Sequence, residues 1–287
     1  MNCGTVNQRL ENGMTIPTPE TVQDAVNELQ VRVWDRADDA RFRLTVYEPL
    51  RGGRKVGCIG GLEFLDYTGA YAGLGPEHRA LEFGCGMGDG CEYVASCFGS
   101  RVTGVDISPQ QIERARERHS ASSSRGLDFV AADILEWEPP HHYDAVYFLE
   151  MLPIVQDCRT LLERLHSWLR PGGTLTMTDF VSESYLNEEE RAFLWQEDSI
   201  ADNLPSQADR LAMIRAVGFQ ELDVTDITHK AVTQQERILE ESYRHKTAII
   251  EGVGIDSWLN WVECAEVYGR MFAERKLVCL RVGARRA

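Results

Sequence analysis

The sequence of 287 residues lacks long apolar runs and is poor in positive charge. It contains no run of about 18 apolar residues, so we predict no membrane-spanning helix and no membrane partner. It has 30 Lys and Arg residues and 45 Asp and Glu residues, which gives a formal net charge of −15. A surface of this sign repels a phosphate backbone, which argues against nucleic acid as a partner. Residues 1–19 show no charged-then-apolar signal pattern, so a cytoplasmic location is expected.

The cysteines and histidines also lack the spacings of structural sites. Eight cysteines are scattered along the chain without a C-x-x-C pair, which argues against a disulfide framework and favours reduced thiols. The histidines show no metal-ligand spacing, so no metal is expected.

Strand and helix patterns alternate in the middle of the chain. They predict strands at 79–83, 101–106, 127–131, 143–149 and 174–178, with helices over 90–98, 109–119 and 158–169 between them. Residues 170–173 read as a turn, and two further strands follow at 219–227 and 277–282. This alternation predicts an α/β fold with a mostly parallel sheet and helices on both faces.

We predict two parts. Residues 1–60 form an N-terminal helical cap, because Val22, Val26, Leu29 and Val33 make an apolar stripe that packs on the chain's own core or on a second copy in a homodimer. Residues 61–287 form the main domain. Its segments 180–206 and 229–276 exceed ordinary connections and predict a lid over a site.

The chain is organised around a glycine-rich loop at residues 80–90, between a predicted strand and a predicted helix. A dinucleotide loop needs G-x-G-x-x-G, and both registers fail, at Asp89 and at Cys91. A P-loop needs Gly-Lys-Ser/Thr, and no Lys lies near. What is present is Glu-x-Gly-x-Gly-x-Gly, with Glu82 before the glycines. Acidic residues here suit a cofactor that carries an ammonium and a sulfonium.

Two more acidic residues follow the next two predicted strands. Asp106 ends the second strand, where a carboxylate can accept both hydroxyls of a ribose. Asp133 and Ile134 follow the third strand, where they suit an adenine amino group and its ring. Because parallel strands end at one edge of a sheet, the three acids are expected together.

These motifs resemble those of class I S-adenosylmethionine-dependent methyltransferases. The matching segments are 81–88, 102–108, 132–134, 143–146 and 169–175. Within this class, Gly60-Gly61-Leu62-Glu63 is similar to a stretch of the small-molecule branch, which includes sarcosine/dimethylglycine, sterol and quinone methyltransferases.

The resemblance implies a Rossmann-like seven-stranded sheet whose last strand is antiparallel. It also implies S-adenosylmethionine as cofactor, with S-adenosylhomocysteine as product. Expected contacts run from Glu82, Gly84 and Gly86 to the methionine moiety, from Asp106 to ribose, and from Asp133 and Ile134 to adenine. Further positions expected to line the site are Gly88, Ile107, Gln111 and Leu149.

The methyl acceptor is less well defined. Ile154 stands where the small-molecule branch often has a histidine base, which favours methyl transfer to nitrogen or carbon over oxygen. The segment 147–154 is mostly apolar and suits a small hydrophobic or aromatic metabolite, in natural-product biosynthesis for example. We expect Tyr67 and Tyr71 to orient the acceptor and Glu150 to steer a cationic amine.

Three alternatives stay open at this point. The fold can serve a non-methylating reaction such as a cyclisation, with which the missing histidine is compatible. An O-methyltransferase is the second. A binding module, or a methyltransferase acting on nucleic acid or protein, is the third, although the long capping segments favour an enclosed small ligand.

Overall fold

The computed structural model describes residues 58–120, 126–200 and 204–287, together with one earlier residue, the helical Asn27. The predicted helical stripe at 22–33 and most of the predicted cap therefore lie outside the described residues. Seven strands form one sheet in the order β3-β2-β1-β4-β5-β7-β6. The strands are β1 (Arg79–Phe83), β2 (Arg101–Asp106), β3 (Leu127–Ala131), β4 (Tyr143–Leu149), β5 (Leu169–Ser182), β6 (Phe219–Asp226) and β7 (Leu277–Arg286).

Nine α-helices lie among the described residues, and several of them pack on the two faces of this sheet. They are α1 (Gly61–Ala72), α2 (Asp89–Phe98), α3 (Pro109–Arg118), α4 (Cys158–Trp168), α5 (Glu188–Asp198), α6 (Gln207–Val217), α7 (Thr228–Arg244), α8 (Lys246–Val253) and α9 (Ile255–Ala273), with a 3₁₀ turn at Leu152–Ile154.

The strand directions match the predicted architecture. β1 pairs in parallel with β2 and β4, β2 with β3, and β4 with β5. β7 is antiparallel to both of its neighbours, β5 and β6. The prediction of a Rossmann-like, mostly parallel sheet with an antiparallel last strand is thus confirmed. The chain leaves β1, β2, β3 and β4 at one edge, which we name the carboxyl edge.

Apolar side chains cover both faces of the sheet. One buried cluster joins the strands to α4 and α6, and a second joins them to α1, α2 and α3. The second is tightly packed where α1 crosses α2, since a Cβ at Gly69 would lie 2.1 Å from the Phe98 ring. A glycine therefore permits the close approach of these two helices.

One ion pair lies inside the core. Arg210 on α6 and Asp179 on β5 are fully buried, and Arg210 Nε lies 2.8 Å from Asp179 Oδ2. Burial raises the pKa of Asp179 to about 6, against the opposing effect of the Arg210 charge. Each of these charges depends on the other, because a lone buried charge is costly.

Two predicted segments differ from the structure. The turn expected at 170–173 lies within β5, where the register with β4 shifts between Tyr143 and Ala145. β5 also runs to Ser182, so the segment expected to begin a lid at 180 begins inside the sheet. The 229–276 segment is helical as predicted, and comprises most of α7 with α8 and α9. Among the described residues, none of the helices is long and apolar enough to cross a membrane.

Candidate cofactor site and acceptor side

The glycine-rich loop runs from the end of β1 to the start of α2, and its backbone is held by β2. The amides of Gly84 and Cys85 donate to the Val105 carbonyl, at 2.8 and 3.2 Å. Gly84 has φ +68°, and a Cβ there would lie 2.5 Å from the Met151 sulfur. Gly86 has φ +51°, and a Cβ there would meet no atom within 4 Å. The loop therefore needs glycine for its backbone angles, and it leaves open space beside Gly86.

Asp106 ties this loop to the end of β2. Its Oδ2 accepts from the Gly86 amide at 2.8 Å, and its Oδ1 accepts from the Ser108 amide at 2.9 Å. Burial raises the pKa of this carboxyl, and the two amides oppose that rise. Each carboxylate oxygen has a second lone pair, so Asp106 can hold the loop and still accept from two hydroxyls.

Glu82 lies beneath the loop, and its carboxylate is directed into the core. The side chain is 4% exposed, and its Oε2 accepts from Cys91 Sγ at 2.9 Å and from the Tyr147 hydroxyl at 3.2 Å. Burial raises the pKa of Glu82 to about 7, and the Asp89 and Asp106 charges add to this rise. Both of these hydrogen bonds engage Oε2, and the contact of Glu82 with a methionine moiety stays a prediction.

Asp133 follows β3 at the same edge. Its Oδ1 accepts from the Leu135 amide at 2.8 Å, and its Oδ2 accepts from Asn27 Nδ2 at 2.9 Å. Asn27, before the main domain, thus reaches the position expected for adenine. Ile134 is 4% exposed and belongs to the sheet core, so little of its surface is available to flank a ring.

The other expected lining residues surround this edge. Gly88 starts α2 with φ +77°, and its amide donates to the Cys85 carbonyl at 2.9 Å. Ile107 is half-buried directly after Asp106. Gln111, in the first turn of α3, and Leu149, at the end of β4, are 5% and 8% exposed.

Glu150 follows β4 with φ +60°, a left-handed conformation that is uncommon for a residue other than glycine. Its amide donates to the Thr178 carbonyl at 2.9 Å, and its Oε1 accepts from the Ile59 amide. The strained residue therefore joins the chain before α1 to the ends of β4 and β5. It lies at the carboxyl edge, where its Oε1 is engaged by the backbone, and its role in steering an amine stays a prediction.

Tyr67 and Tyr71 do not lie at the carboxyl edge with these groups. Tyr67 donates to Asp223 Oδ2 and Tyr71 donates to the Glu221 carbonyl, both at 2.9 Å and both on β6. Their rings contact the guanidinium groups of β7, with the Arg281 carbon 3.9 Å from the Tyr67 centroid and the Arg285 carbon 5.1 Å from that of Tyr71. The expectation that these tyrosines orient an acceptor is corrected: they attach α1 to the last two strands.

Apolar side chains lie where the resemblance places a histidine. Ile154 packs against a cluster that includes Phe193 of α5 and Tyr268 of α9. The 3₁₀ turn that contains Ile154 follows Met151, which contacts the loop at Gly84. Only the 3₁₀ turn at Leu152–Ile154 therefore separates Met151, at the glycine loop, from this apolar cluster. We name the α5 and α9 side of the edge the acceptor side.

A polar pair lies on the acceptor side. The Tyr268 hydroxyl donates to Asp198 Oδ2, and the Tyr268 ring packs 5.4 Å from that of Phe193. Asp198 keeps solvent contact, yet burial raises the pKa of its carboxyl, with the Glu197 charge adding to the rise. The pair was missed because its members are 70 residues apart and carry no local motif.

The site fits a nucleoside cofactor with an amino-acid tail. Asp106 and Asp133 are acids at successive strand ends, and the space beside Gly86 can accept a group close to the backbone. Fold and site together define a Rossmann-like nucleoside-binding domain with an acidic, glycine-rich loop.

Comparisons with known proteins specify this class further. A family model described as a methyltransferase domain matches residues 80–173. Phosphoethanolamine N-methyltransferase 3 of Arabidopsis thaliana is 28% identical over 67% of this chain and 39% of its own. A ubiquinone biosynthesis O-methyltransferase of Xanthomonas campestris is 34% identical over 55% of this chain and 60% of its own. The chain thus spans less than half of the plant phosphoethanolamine relatives that it matches.

Solved structures share the fold. Haemonchus contortus phosphoethanolamine N-methyltransferase 2, in complex with phosphomonomethylethanolamine and S-adenosylhomocysteine, superposes with a TM-score of 0.77 at 21% identity, over 88% of this chain and 58% of that one. The [4+2]-cyclase SpnF superposes with a TM-score of 0.69 at 20% identity, over 89% and 95% of the two chains. Residues 80–173 of the chain thus match a methyltransferase domain, and the predicted resemblance to S-adenosylmethionine-dependent methyltransferases is confirmed.

Proposed function

We propose that this chain transfers a methyl group from S-adenosylmethionine to nitrogen or carbon of a small, hydrophobic or aromatic metabolite. The observation that carries the proposal is the anchored loop, whose Gly86 amide binds Asp106 while Glu82 and Asp133 occupy the ends of the flanking strands.

The chain offers a distinct group for each part of the cofactor. Asp106 would accept from the ribose hydroxyls, and Asp133 would accept from the adenine amino group beside Asn27. The loop backbone at Gly84 and Gly86 would contact the methionine moiety. The cofactor, when bound, supplies an activated methyl on a sulfonium. The net acidic charge of the site favours this cation, and Glu82 supports the loop from below.

The acceptor would enter from the acceptor side. Ile154, Phe193 and Tyr268 provide an apolar wall, which supports a hydrophobic or aromatic acceptor. The Glu150 carboxylate at the same edge would attract a cationic amine through its negative charge. In-line transfer needs close approach and alignment, which an enclosing wall provides.

One observation favours O-methylation as a second candidate. An alcohol must lose its proton during transfer, and Asp198, with a raised pKa and Tyr268 as a fixed donor, is a carboxylate suited to accept it. The cyclisation alternative has weaker support, because likeness to the cyclase extends to the fold alone.

The test uses methyl-labelled S-adenosylmethionine with fractionated metabolite extract, and with RNA and protein as separate arms. We expect label in a small-molecule fraction with equimolar release of S-adenosylhomocysteine. Label only in RNA or protein, or turnover of a metabolite without this release, would contradict the proposal.

The same assay separates the acceptor chemistries. Asp198→Asn is expected to reduce transfer to a hydroxyl acceptor by about 100-fold and to leave transfer to a neutral amine nearly unchanged, because the amine attacks through its lone pair without first losing a proton. S-adenosylhomocysteine affinity should be unchanged in this variant, which distinguishes an acceptor role from a loss of cofactor binding.

A further inference from the structure

The glycine loop is held a second time, from the end of α3. His119 closes this helix, is 9% exposed, and its Nε2 lies 3.1 Å from the Met87 carbonyl oxygen. A carbonyl only accepts, so the contact requires a proton on Nε2. Met87 stands between Gly86 and Gly88, in the part of the loop expected to contact the cofactor.

This contact fixes one peptide plane of the loop. The Met87 carbonyl accepts from His119, and the Gly88 amide donates to the Cys85 carbonyl at 2.9 Å. These two groups belong to the same planar peptide, so both of its polar ends are bonded. The flanking glycines have φ of +51° and +77°, which gives this peptide little conformational restraint of its own.

Neighbouring groups hold His119 and the loop in the same arrangement. Asp89 Oδ1 lies 3.7 Å from His119 Nε2 and 3.2 Å from Arg118 Nη2. The Phe129 ring centroid lies 5.9 Å from that of His119, and a Cβ at Gly88 would lie 2.5 Å from the Phe129 ring. The end of α3 and β3 therefore support the loop on the side opposite to β4.

We infer that His119 is a positioning residue for the cofactor: its Nε2–H holds the Met87–Gly88 peptide so that the loop keeps its binding shape before the cofactor arrives. The inference rests on the proposed function. Without the donor, this hydrogen bond to the Met87 carbonyl is lost and the loop can adopt other peptide orientations, so part of the binding free energy is used to order it.

Two amide variants of different side-chain length test this inference. The amide nitrogen of His119→Gln can reach the position of Nε2, whereas that of His119→Asn is too short to do so. Calorimetry with S-adenosylhomocysteine should give about a 10-fold weaker Kd for His119→Asn, and a Kd within about threefold of wild type for His119→Gln. With saturating cofactor, kcat of the transfer should be equal in the three proteins.

The control is His166→Asn, which changes a histidine on α4 that packs against Phe219, away from the loop. Its Kd should equal that of wild type, and thermal unfolding of each variant shows whether it is folded. Equal affinity of folded His119→Asn and wild type would overturn the inference, as would a His119→Gln protein as weak as His119→Asn. Absence of binding to wild type would instead overturn the proposed function.

Discussion

The buried Glu82 makes a quantitative prediction about the pH dependence of stability. Burial raises the pKa of this carboxyl from an ordinary value of 4.5 to about 7, even though Cys91 and Tyr147 donate hydrogen bonds to it. Between these two pH values the folded protein holds a proton on Glu82 that the unfolded chain has released. Because the folded state binds the extra proton, protonation of Glu82 contributes to the free energy of unfolding. This contribution is fully present below pH 4.5 and is lost as pH rises through about 7.

The Glu82→Gln variant removes this dependence. An amide remains uncharged at every pH and its oxygen can still accept from Tyr147. A pKa difference of about 2.5 units corresponds to about 3 kcal/mol. The free energy of unfolding of Glu82→Gln, minus that of wild type, should therefore rise by about 3 kcal/mol from acidic pH to above pH 7.

Urea unfolding followed by circular dichroism measures this difference, with a constant m-value as the check on two-state behaviour. The pKa of Asp179 is also raised, but this residue is present in both proteins and its effect cancels. A difference between variant and wild type that is the same at all pH values would refute the reasoning, because it would show that Glu82 titrates normally.

Two further predictions concern the site and the core. Asp106→Ala removes the acceptor for the Gly86 amide and for the expected ribose hydroxyls, so the Kd for S-adenosylhomocysteine measured by calorimetry should rise by about 100-fold; an unchanged Kd would exclude Asp106 from the site. Arg210→Met leaves Asp179 buried without its partner and should lower the free energy of unfolding by about 3 kcal/mol, whereas the double variant with Asp179→Leu should recover most of that loss. Equal stability of the single and double variants would contradict an ion pair in which each charge depends on the other.

Local sequence signals were sufficient for the central strands and the loop. The bounds of β1, β2, β3 and β4 are those predicted, because each is a short, largely apolar run that ends within two residues of a glycine or an acid. The positive φ angles at Gly84, Gly86 and Gly88 explain the alternating glycines, and Asp106 lies at the edge as expected. Periodicity and turn chemistry act over a few residues, and a sequence displays them directly.

Side-chain direction was less predictable, since it depends on partners far along the chain. Glu82 faces the core because Tyr147, 65 residues away, supplies a donor there. Tyr67 and Tyr71 bond to β6, about 150 residues later, where no motif marks their partners. Asp198 and Tyr268 likewise meet only through the packing of α5 on α9.

The central claim is that the acidic glycine loop binds S-adenosylmethionine and its product. Isothermal titration of the purified chain with S-adenosylhomocysteine tests it most directly. We predict saturable binding of one molecule per chain, with a Kd near or below about 100 μM, a binding free energy of about −5 kcal/mol or stronger. Absence of binding by a folded protein would contradict the claim, whatever the acceptor.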